Sequence, residues 1–439
     1  MSKNSQKNMH PLTGKKMMGA DMIVQILADE GVDTIFGYSG GAILPTYDAV
    51  FRFNEENKNN KGEQPMPLIV PANEQGAGFM ASGYARASGK VGVVMVTSGP
   101  GATNTVTPIR DCMADSIPIV VLCGQVPTTA IGTDAFQEAP VSAIMGAVSK
   151  HIFLVTDPEK LESTVRAAFE LAKTGRPGPV VVDIPKDIQN WEGEFQGSGS
   201  LPLTGYRNRL DAVMTNSLSE ESAQNFYNLL NSSEKPLIYV GGGIINANAS
   251  ESLRQLSTEY GIPIVTTLMA LGASDTTKSL SLHMLGMHGL ASANYAVEDC
   301  DFLIAIGARF DDRVAGDPEG FAPNAKKIAH FDIDISEINK VKNVDWYHVG
   351  DLKKDLDDLL NYGKGIKFSG DFKSWHHHIS ELKEKYKLNY DKKSNLIQPY
   401  QVIEEINKLS GGEAIISTGV GQHQMWAAQY FDYKEPRLW

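Results

Sequence analysis

Between Ala20 and Pro185 the apolar positions switch repeatedly between two periods. Met22, Ile23, Ile26 and Leu27 recur at helical spacing, and Gly31 closes that helix before a short strand over Thr34–Phe36. Val91–Thr97 (VGVVMVT), Pro118–Gly124 (PIVVLCG) and Pro179–Pro185 (PVVVDIP) are instead unbroken runs rich in Val and Ile, the pattern of strands covered on both faces. Among them Glu74–Ala87 reads as a helix dense in Gly and Ala, whose backbone can lie close against a neighbour. Helix and strand in alternation predict a parallel, doubly wound sheet. The period is lost over Trp191–Tyr206 (WEGEFQGSGSLPLTGY), where Gly, Ser and Pro predict a linker. A second alternating block, from about Ser217 to Asp351, contains Pro236–Val240 (PLIYV), Asp301–Ile306 (DFLIAI) and Lys327–Ile333, again parallel-sheet material. A helical stretch rich in Lys, Asp and His follows over Asp355–Lys393. Beyond Pro399 come a helix at Tyr400–Leu409, a strand at Ala414–Ser417 and the start of another helix. One strand with two helices cannot bury a core, so this third unit is expected to be incomplete and the polypeptide truncated.

A chain of 439 residues exceeds one ordinary core. The pattern divides it into a polar tail (1–17), a first domain (18–190), a linker (191–212), a central domain (213–370), a helical connector (371–398) and the incomplete third domain (399–439). The expected class is α/β, with successive doubly wound parallel-sheet domains. A hydrophobic content of 42% with 21% charged residues excludes a disordered or fibrous chain, and a net charge of −12 disfavours nucleic acid as a partner. Cys112, Cys123 and Cys300 are widely spaced without a CxxC pair and are expected to be buried, reduced thiols. No apolar run reaches the roughly 18–20 residues that span a bilayer, so no membrane is expected. The segment MSKNSQKNMHPLTGKKMM lacks the hydrophobic stretch of a secretory signal, which leads to the expectation of a cytoplasmic protein. An organelle transit peptide is the weaker alternative, because the leader is short and poor in Arg.

Three stretches of the first domain carry candidate chemistry. Phe36–Pro45 (FGYSGGAILP) follows a strand and opens a helix, and Gly37, Gly40 and Gly41 let backbone approach a ligand; such turns are as often packing features. In Pro71–Ala87 (PANEQGAGFMASGYARA), Glu74 stands near the start of a small, apolar helix. A carboxylate there either complements the helix dipole or acts as an acid whose pKa is raised by apolar burial, as general acid–base work near neutrality requires. Val96–Asn104 (VTSGPGATN) turns sharply over Ser98–Gly101 before a helix, which suits an anion or a ring edge, although many such turns bind nothing.

Taken in order, these segments resemble the thiamine-diphosphate decarboxylases and carboligases. Gly132–Glu138 (GTDAFQE), Gly175–Asp187 (GRPGPVVVDIPKD), Leu285–Gly289 (LGMHG), Gly307–Arg313 (GARFDDR) and Gly421–Trp426 (GQHQMW) narrow the resemblance to the acetolactate synthases, over nearly all of Met18–Trp439. The resemblance implies thiamine diphosphate, Mg2+ and FAD as cofactors. It assigns Glu74 to N1′ of the aminopyrimidine, where the carboxyl group promotes the imino form that deprotonates the thiazolium carbon. It lays the backbone of Gly40, Gly41 and Ala42 over the ring, with Ser39 where the family commonly has Pro. Gln137 becomes the second catalytic residue, and Phe136 and Lys186 line the substrate channel; apart from the resemblance, a buried Phe, a loop Gln and a solvated Lys are the ordinary readings. Gln422 and His423 are implied diphosphate contacts. The Mg2+ ligands, a GDG-type motif and a later Asn, are expected beyond Trp439, which leaves no metal ligand within this chain.

The central domain is implied to bind FAD without the GxGxxG fingerprint. Gly241, Gly242 and Gly243 would admit the FAD diphosphate. Arg176, Met287, His288, Gly289, Gly307, Arg309, Asp311, Arg313, Asp332, Ile333 and Asp351 are the remaining implied flavin or channel contacts. Met287 and Arg313 are shared with the substrate channel, and Arg313 is closer to acceptor recognition; a fixed bidentate donor suits a diphosphate or a carboxylate. In the implied activity pyruvate is decarboxylated on thiamine diphosphate, and the hydroxyethyl carbanion adds to pyruvate or 2-oxobutyrate. The products, 2-acetolactate or 2-aceto-2-hydroxybutyrate, lead to valine, leucine and isoleucine. Implied partners are further large subunits, in a homodimer or homotetramer, and a regulatory small subunit. The alternatives are an inactive FAD-binding fragment, a pyruvate oxidase or a glyoxylate carboligase, the last of which lacks a Glu at the position of Glu74.

Overall fold

The computed structural model describes residues 10–58 and 65–439 and divides into two compact units, Met1–Tyr206 and Arg207–Trp439. The first unit contains β1 (Lys16–Met18), β2 (Ile35–Tyr38), β3 (Leu68–Ile69), β4 (Gly92–Val96), β5 (Ile119–Gln125), β6 (His151–Leu154), β7 (Val180–Pro185) and β8 (Glu192–Glu194). Six of these form one parallel sheet in the order β3-β2-β4-β5-β7-β6. The period of two divides its core. Val93, Met95, Val120 and Leu122 point to one face, against Ile23, Ile26, Leu27 and Phe169; Val94, Val96 and Val121 point to the other, against Ala77, Ala81, Ile109 and Cys112. The unbroken Val/Ile runs are thus strands buried on both sides, as their composition predicts.

Helix Glu74–Ser88 is capped at its start by the Asn73 side chain, which accepts from Gly76 N at 2.8 Å, and ends at Gly89 in the left-handed region (φ 75). Its small residues permit close packing: a Cβ at Gly78 would sit 2.4 Å from Pro108 Cγ of helix Val106–Asp115. The stretch read as a linker is partly regular. β8 pairs antiparallel with β1, Lys16 opposite Glu194, and Thr204–Thr215 is helical. Glycines and prolines at its other positions hide both periods.

The second unit adds β9 (Pro236–Val240), β10 (Ile264–Thr266), β11 (Ser281–Met284), β12 (Phe302–Ile306), β13 (Lys327–Asp332) and β14 (Trp346–Val349). They make a wholly parallel sheet in the order β11-β10-β9-β12-β13-β14, the doubly wound arrangement in which the chain winds outward from the centre in both directions. Phe226, Phe302, Phe331 and Trp346 meet in its core in tilted and edge contacts. Helices Pro399–Ser410 and Gln422–Tyr430 close the unit, and Ala428, Phe431 and Tyr433 pack on Leu271 and Met284. The strand expected at Ala414–Ser417 is absent. That segment pairs with no strand among the described residues, and Ile416 N donates to Leu438 O at 2.7 Å. A strand exists through its neighbours, and a strand-like sequence without one stays irregular. All three cysteines are buried and free, as expected. Among the described residues no helix is long and apolar enough to cross a membrane.

Candidate functional site

In a doubly wound sheet, ligands bind beyond the carboxyl ends of the strands, at the point where the winding reverses. In the first unit that point lies between β2 and β4: the chain passes from β2 outward to β3, then returns to β4 on the other side of β2. Three segments meet there. The turn Ser39–Ala42 follows β2, Glu74 opens the helix after β3, and Thr97–Asn104 follows β4.

Side chains hold these segments together. Thr97 stands behind the first turn, and Ala42 N donates to Thr97 Oγ1 at 3.3 Å. A Cβ at Gly40 would lie 2.5 Å from the Thr97 side chain, whereas Gly41 faces open space. Gln189, fully buried, donates to Ala42 O at 2.7 Å and accepts from Thr46 Oγ1 at 2.8 Å. Glu74 is half-buried, and its Oε2 accepts from Asn104 Nδ2 at 2.8 Å. No bond to Oε1 is made among the described residues, and this oxygen lies beside Gly101, 3.5 Å from where a Cβ would stand. The desolvation looked for from an apolar helix is incomplete on this face. Tyr47 lies below, donating to Met95 O at 3.1 Å; burial first, and the Glu74 charge second, push its phenol well above the ordinary range.

The loop after β5 brings up Phe136 and Gln137. Gln137 has a left-handed backbone (φ 59), and a Cβ at Gly99, itself at φ 49, would lie 2.3 Å from Gln137 O. Only glycine fits this turn, so Ser98–Gly101 and the GTDAFQE segment lie against each other. Phe136 is not buried but 88% exposed. Lys186 follows β7, half-buried, at the same carboxyl edge. Sequence reasoning missed Asn104, Thr97 and Gln189. Asn104 and Thr97 both lie in VTSGPGATN, yet pairing Asn104 with a Glu thirty positions earlier requires the fold.

In the second unit the winding reverses between β9 and β12. Gly241–Gly243 follow β9, Leu285–Gly289 follow β11, and Gly307–Arg313 follow β12. Asp332 ends β13 with Ile333 after it, and Asp351 follows β14, so one edge of one sheet gathers these positions. A Cβ at Gly241 would lie 2.1 Å from Gly307 O, and one at Gly243 would lie 2.9 Å from Gly307 Cα. These glycines are therefore demanded by two loops touching backbone to backbone, apart from any ligand. Met287 is exposed, and its N–H donates to Arg313 O at 2.8 Å. Arg313 extends into solvent beside Asp312, Arg309 is half-buried, and Gly289 packs on Leu285. Asp311 Oδ1 accepts from Arg313 N, Asp332 Oδ1 from Asp334 N and Asp351 Oδ1 from Lys354 N, at 3.0, 2.9 and 3.0 Å. The last bond caps helix Leu352–Gly363.

Arg176 belongs to the first unit, at the amino end of β7, where its Nε donates to Ser116 Oγ at 2.9 Å. Gln422 and His423 are exposed in the first turn of helix Gln422–Tyr430, whose Gln429 donates to His288 O at 2.8 Å. Among the described residues no group of three His, Cys, Asp or Glu side chains is placed to hold a metal ion.

Residues 17–144 match the thiamine pyrophosphate enzyme N-terminal TPP binding domain, and residues 223–359 match the thiamine pyrophosphate enzyme central domain. The chain is similar to the acetolactate synthase large subunit of Corynebacterium glutamicum, 45% identical over 427 residues, which is 97% of this chain and 66% of that protein. It is 44% identical over 424 residues to acetolactate synthase 1, chloroplastic, of Nicotiana tabacum, covering 96% of this chain and 61% of the relative. Acetolactate synthase, chloroplastic, of Arabidopsis thaliana is 44% identical over 431 residues, again 96% and 61%. The chain thus spans 61–66% of the length of these curated relatives.

Proposed function

Because the chain belongs to the acetolactate synthase family of thiamine pyrophosphate enzymes, we propose that it joins two 2-oxo acids, with pyruvate as donor and pyruvate or 2-oxobutyrate as acceptor. The observation that carries this reading is the free Glu74 Oε1 at the switch point of the first sheet, in a crevice walled by glycine turns. Bound thiamine diphosphate would supply a carbon nucleophile for the 2-oxo carbon and an electron sink for decarboxylation. The residues present fit its aminopyrimidine. Gly41 leaves room for a flat ring over backbone, and Glu74 Oε1 is free to hold or release a proton at a ring nitrogen. Asn104 fixes the other carboxylate oxygen, so the proton would be exchanged at Oε1. Gln137, whose backbone lies against Gly99, and the neighbouring Phe136 would orient the oxo acid, with Lys186 as a cation for its carboxylate.

For the second unit we propose FAD, held along the edge formed by Gly241–Gly243, Leu285–Gly289 and Gly307–Arg313. The reversal of winding between β9 and β12 supports this, because dinucleotides lie across such crevices. Asp311, Asp332 and Asp351 are occupied as backbone acceptors and would shape that edge more than they grip the ligand. Gln422 and His423 would contact a diphosphate. A Mg2+ ion has no ligand set among the described residues, so no step is assigned to it. Exposed apolar side chains on the first unit, among them Phe51, Val70, Phe79 and Met80, support a second copy of the chain covering part of its surface.

The purified chain is expected to carry flavin colour, and acetolactate formation from pyruvate with added thiamine diphosphate and Mg2+ tests the activity. Flavin binding without acetolactate formation would assign these residues a cofactor-holding role only, and the absence of both would overturn the reading.

A further inference from the structure

We propose that Asp183 is a positioning residue for the loop that presents Phe136 and Gln137, acting through the side chain of Gln125. Gln125 is the last residue of β5 and is buried. Its Oε1 accepts from Val126 N at 2.9 Å, at the start of the loop; its Nε2 donates to Ala139 O at 3.4 Å, at the loop's end. One buried amide therefore ties both ends of the excursion from Val126 to Ala139. The other hydrogen of Nε2 goes to Asp183 Oδ2 at 3.0 Å, and this bond sets which way the amide points. Flipped by half a turn, Gln125 would present its oxygen to Ala139 O and its nitrogen to Val126 N, and both ties would be lost. The loop's other ties are at its rim: Asp187 accepts from Thr128 N at 3.0 Å, and the Glu138 carboxylate accepts from Gly132 N and Ala135 N.

Asp183 is suited to this role and lacks another. It is 1% exposed on β7, opposite Cys123 across one ladder and Leu154 across the other. Its Oδ1 is buried with no hydrogen-bond partner among the described residues. The helices packed on this face contribute Val141, Met145, Ile109 and Cys112, and among the described residues the titratable group that faces Asp183 across the ladder is the Cys123 thiol. Burial pushes its carboxyl up to about 7, and the Gln125 bond opposes the shift. Burial is the larger cause, so any opening that lets water reach the carboxyl favours the ionised form. The clamp is accordingly tightest below about pH 4, loosens as pH rises to about 7 and changes little above it.

The catalytic meaning of this clamp rests on the proposed reading of Phe136 and Gln137; its existence does not. The test is hydrogen exchange read by mass spectrometry on the complete chain without cofactor, with rates corrected for the intrinsic effect of pH. Asp183→Leu is expected to speed exchange of the Val126–Glu138 amides about tenfold or more and to leave those of Gly92–Val96 unchanged. Asp183→Asn keeps an oxygen acceptor without charge. It should retain the slow loop exchange and abolish the rise of about tenfold or more that is expected of the unaltered chain between about pH 5 and 7. Loop exchange within twofold of the unaltered chain in Asp183→Leu, or an Asp183→Asn profile that still rises with pH, overturns the proposal; should Asp183→Leu not fold, the Asp183→Asn profile decides. A chain that fails to form acetolactate yet passes this test refutes the proposed activity and leaves the clamp standing.

Discussion

Asn104 holds one oxygen of Glu74 and thereby decides which oxygen is available for proton exchange. A hydrogen bond to a charged group contributes about 1.5–3 kcal/mol, so Asn104→Ala in the complete enzyme should lower turnover by about tenfold to a hundredfold. Glu74→Gln removes the proton carrier itself and should cost several orders of magnitude more. Steady-state rates on pyruvate check both, and near-normal turnover for Glu74→Gln would end the assignment. Asp183 leads to a separate expectation for stability. Its carboxyl titrates near 3.8 when exposed and near 7 in the fold, so the folded state holds the proton that the unfolded chain releases. Its contribution is therefore complete below about pH 4 and is lost as pH rises to about 7, at about 1.4 kcal/mol per pH unit. Denaturant midpoints of the unaltered chain should fall across that window relative to Asp183→Asn, and parallel curves would contradict it. Among single residues, the sequence marks Glu74 because a lone carboxylate opens an apolar helix. Asn104, Gln125 and Gln189 stay hidden, because their roles consist entirely of contacts between distant segments.

At the scale of elements, the strands buried on both faces were legible, since Val91–Thr97, Pro118–Gly124 and Pro236–Val240 need no partner information to be read as apolar runs. The exposed short elements were not. Glu192–Glu194 is charged and pairs only because Lys16–Met18 runs beside it, whereas Ala414–Ser417 has strand composition and finds no partner strand among the described residues. The Gly/Ala composition of Glu74–Ser88 signals close packing, and the structure gives the distance. A methyl at Gly78 would press on Pro108 at 2.4 Å, so Gly78→Ala must shift the helix that carries Glu74. The expected loss is about 1–3 kcal/mol of stability, typical of overpacking, read as a lower midpoint in urea. An unchanged midpoint would show that the two helices separate freely.

The whole molecule contains two parallel sheets, each with its own point of reversal and its own edge of candidate residues. Their order follows from alternation in the sequence. The reason for the glycine runs does not, since Gly241 and Gly243 are read as ligand approach and turn out to meet Gly307 as well. If the second unit binds FAD, ligand at a hundred times its dissociation constant should stabilise it by about 2.7 kcal/mol. Calorimetry should then show a transition that rises with added FAD. Gly307→Val, placed in a left-handed turn against Gly243 and Leu352, should abolish the rise.

The antiparallel pair β1–β8 has a consequence for the history and the handling of this protein. Lys16 and Glu194 lie side by side, and Gly14 and Phe195 extend the contact through a backbone bond of 2.9 Å. The first unit thus enters and leaves its own architecture at one doorway. A stretch of chain built that way can be moved as a cassette, spliced between different neighbours or opened at an outer loop and rejoined at the doorway, without rethreading a single strand of its sheet.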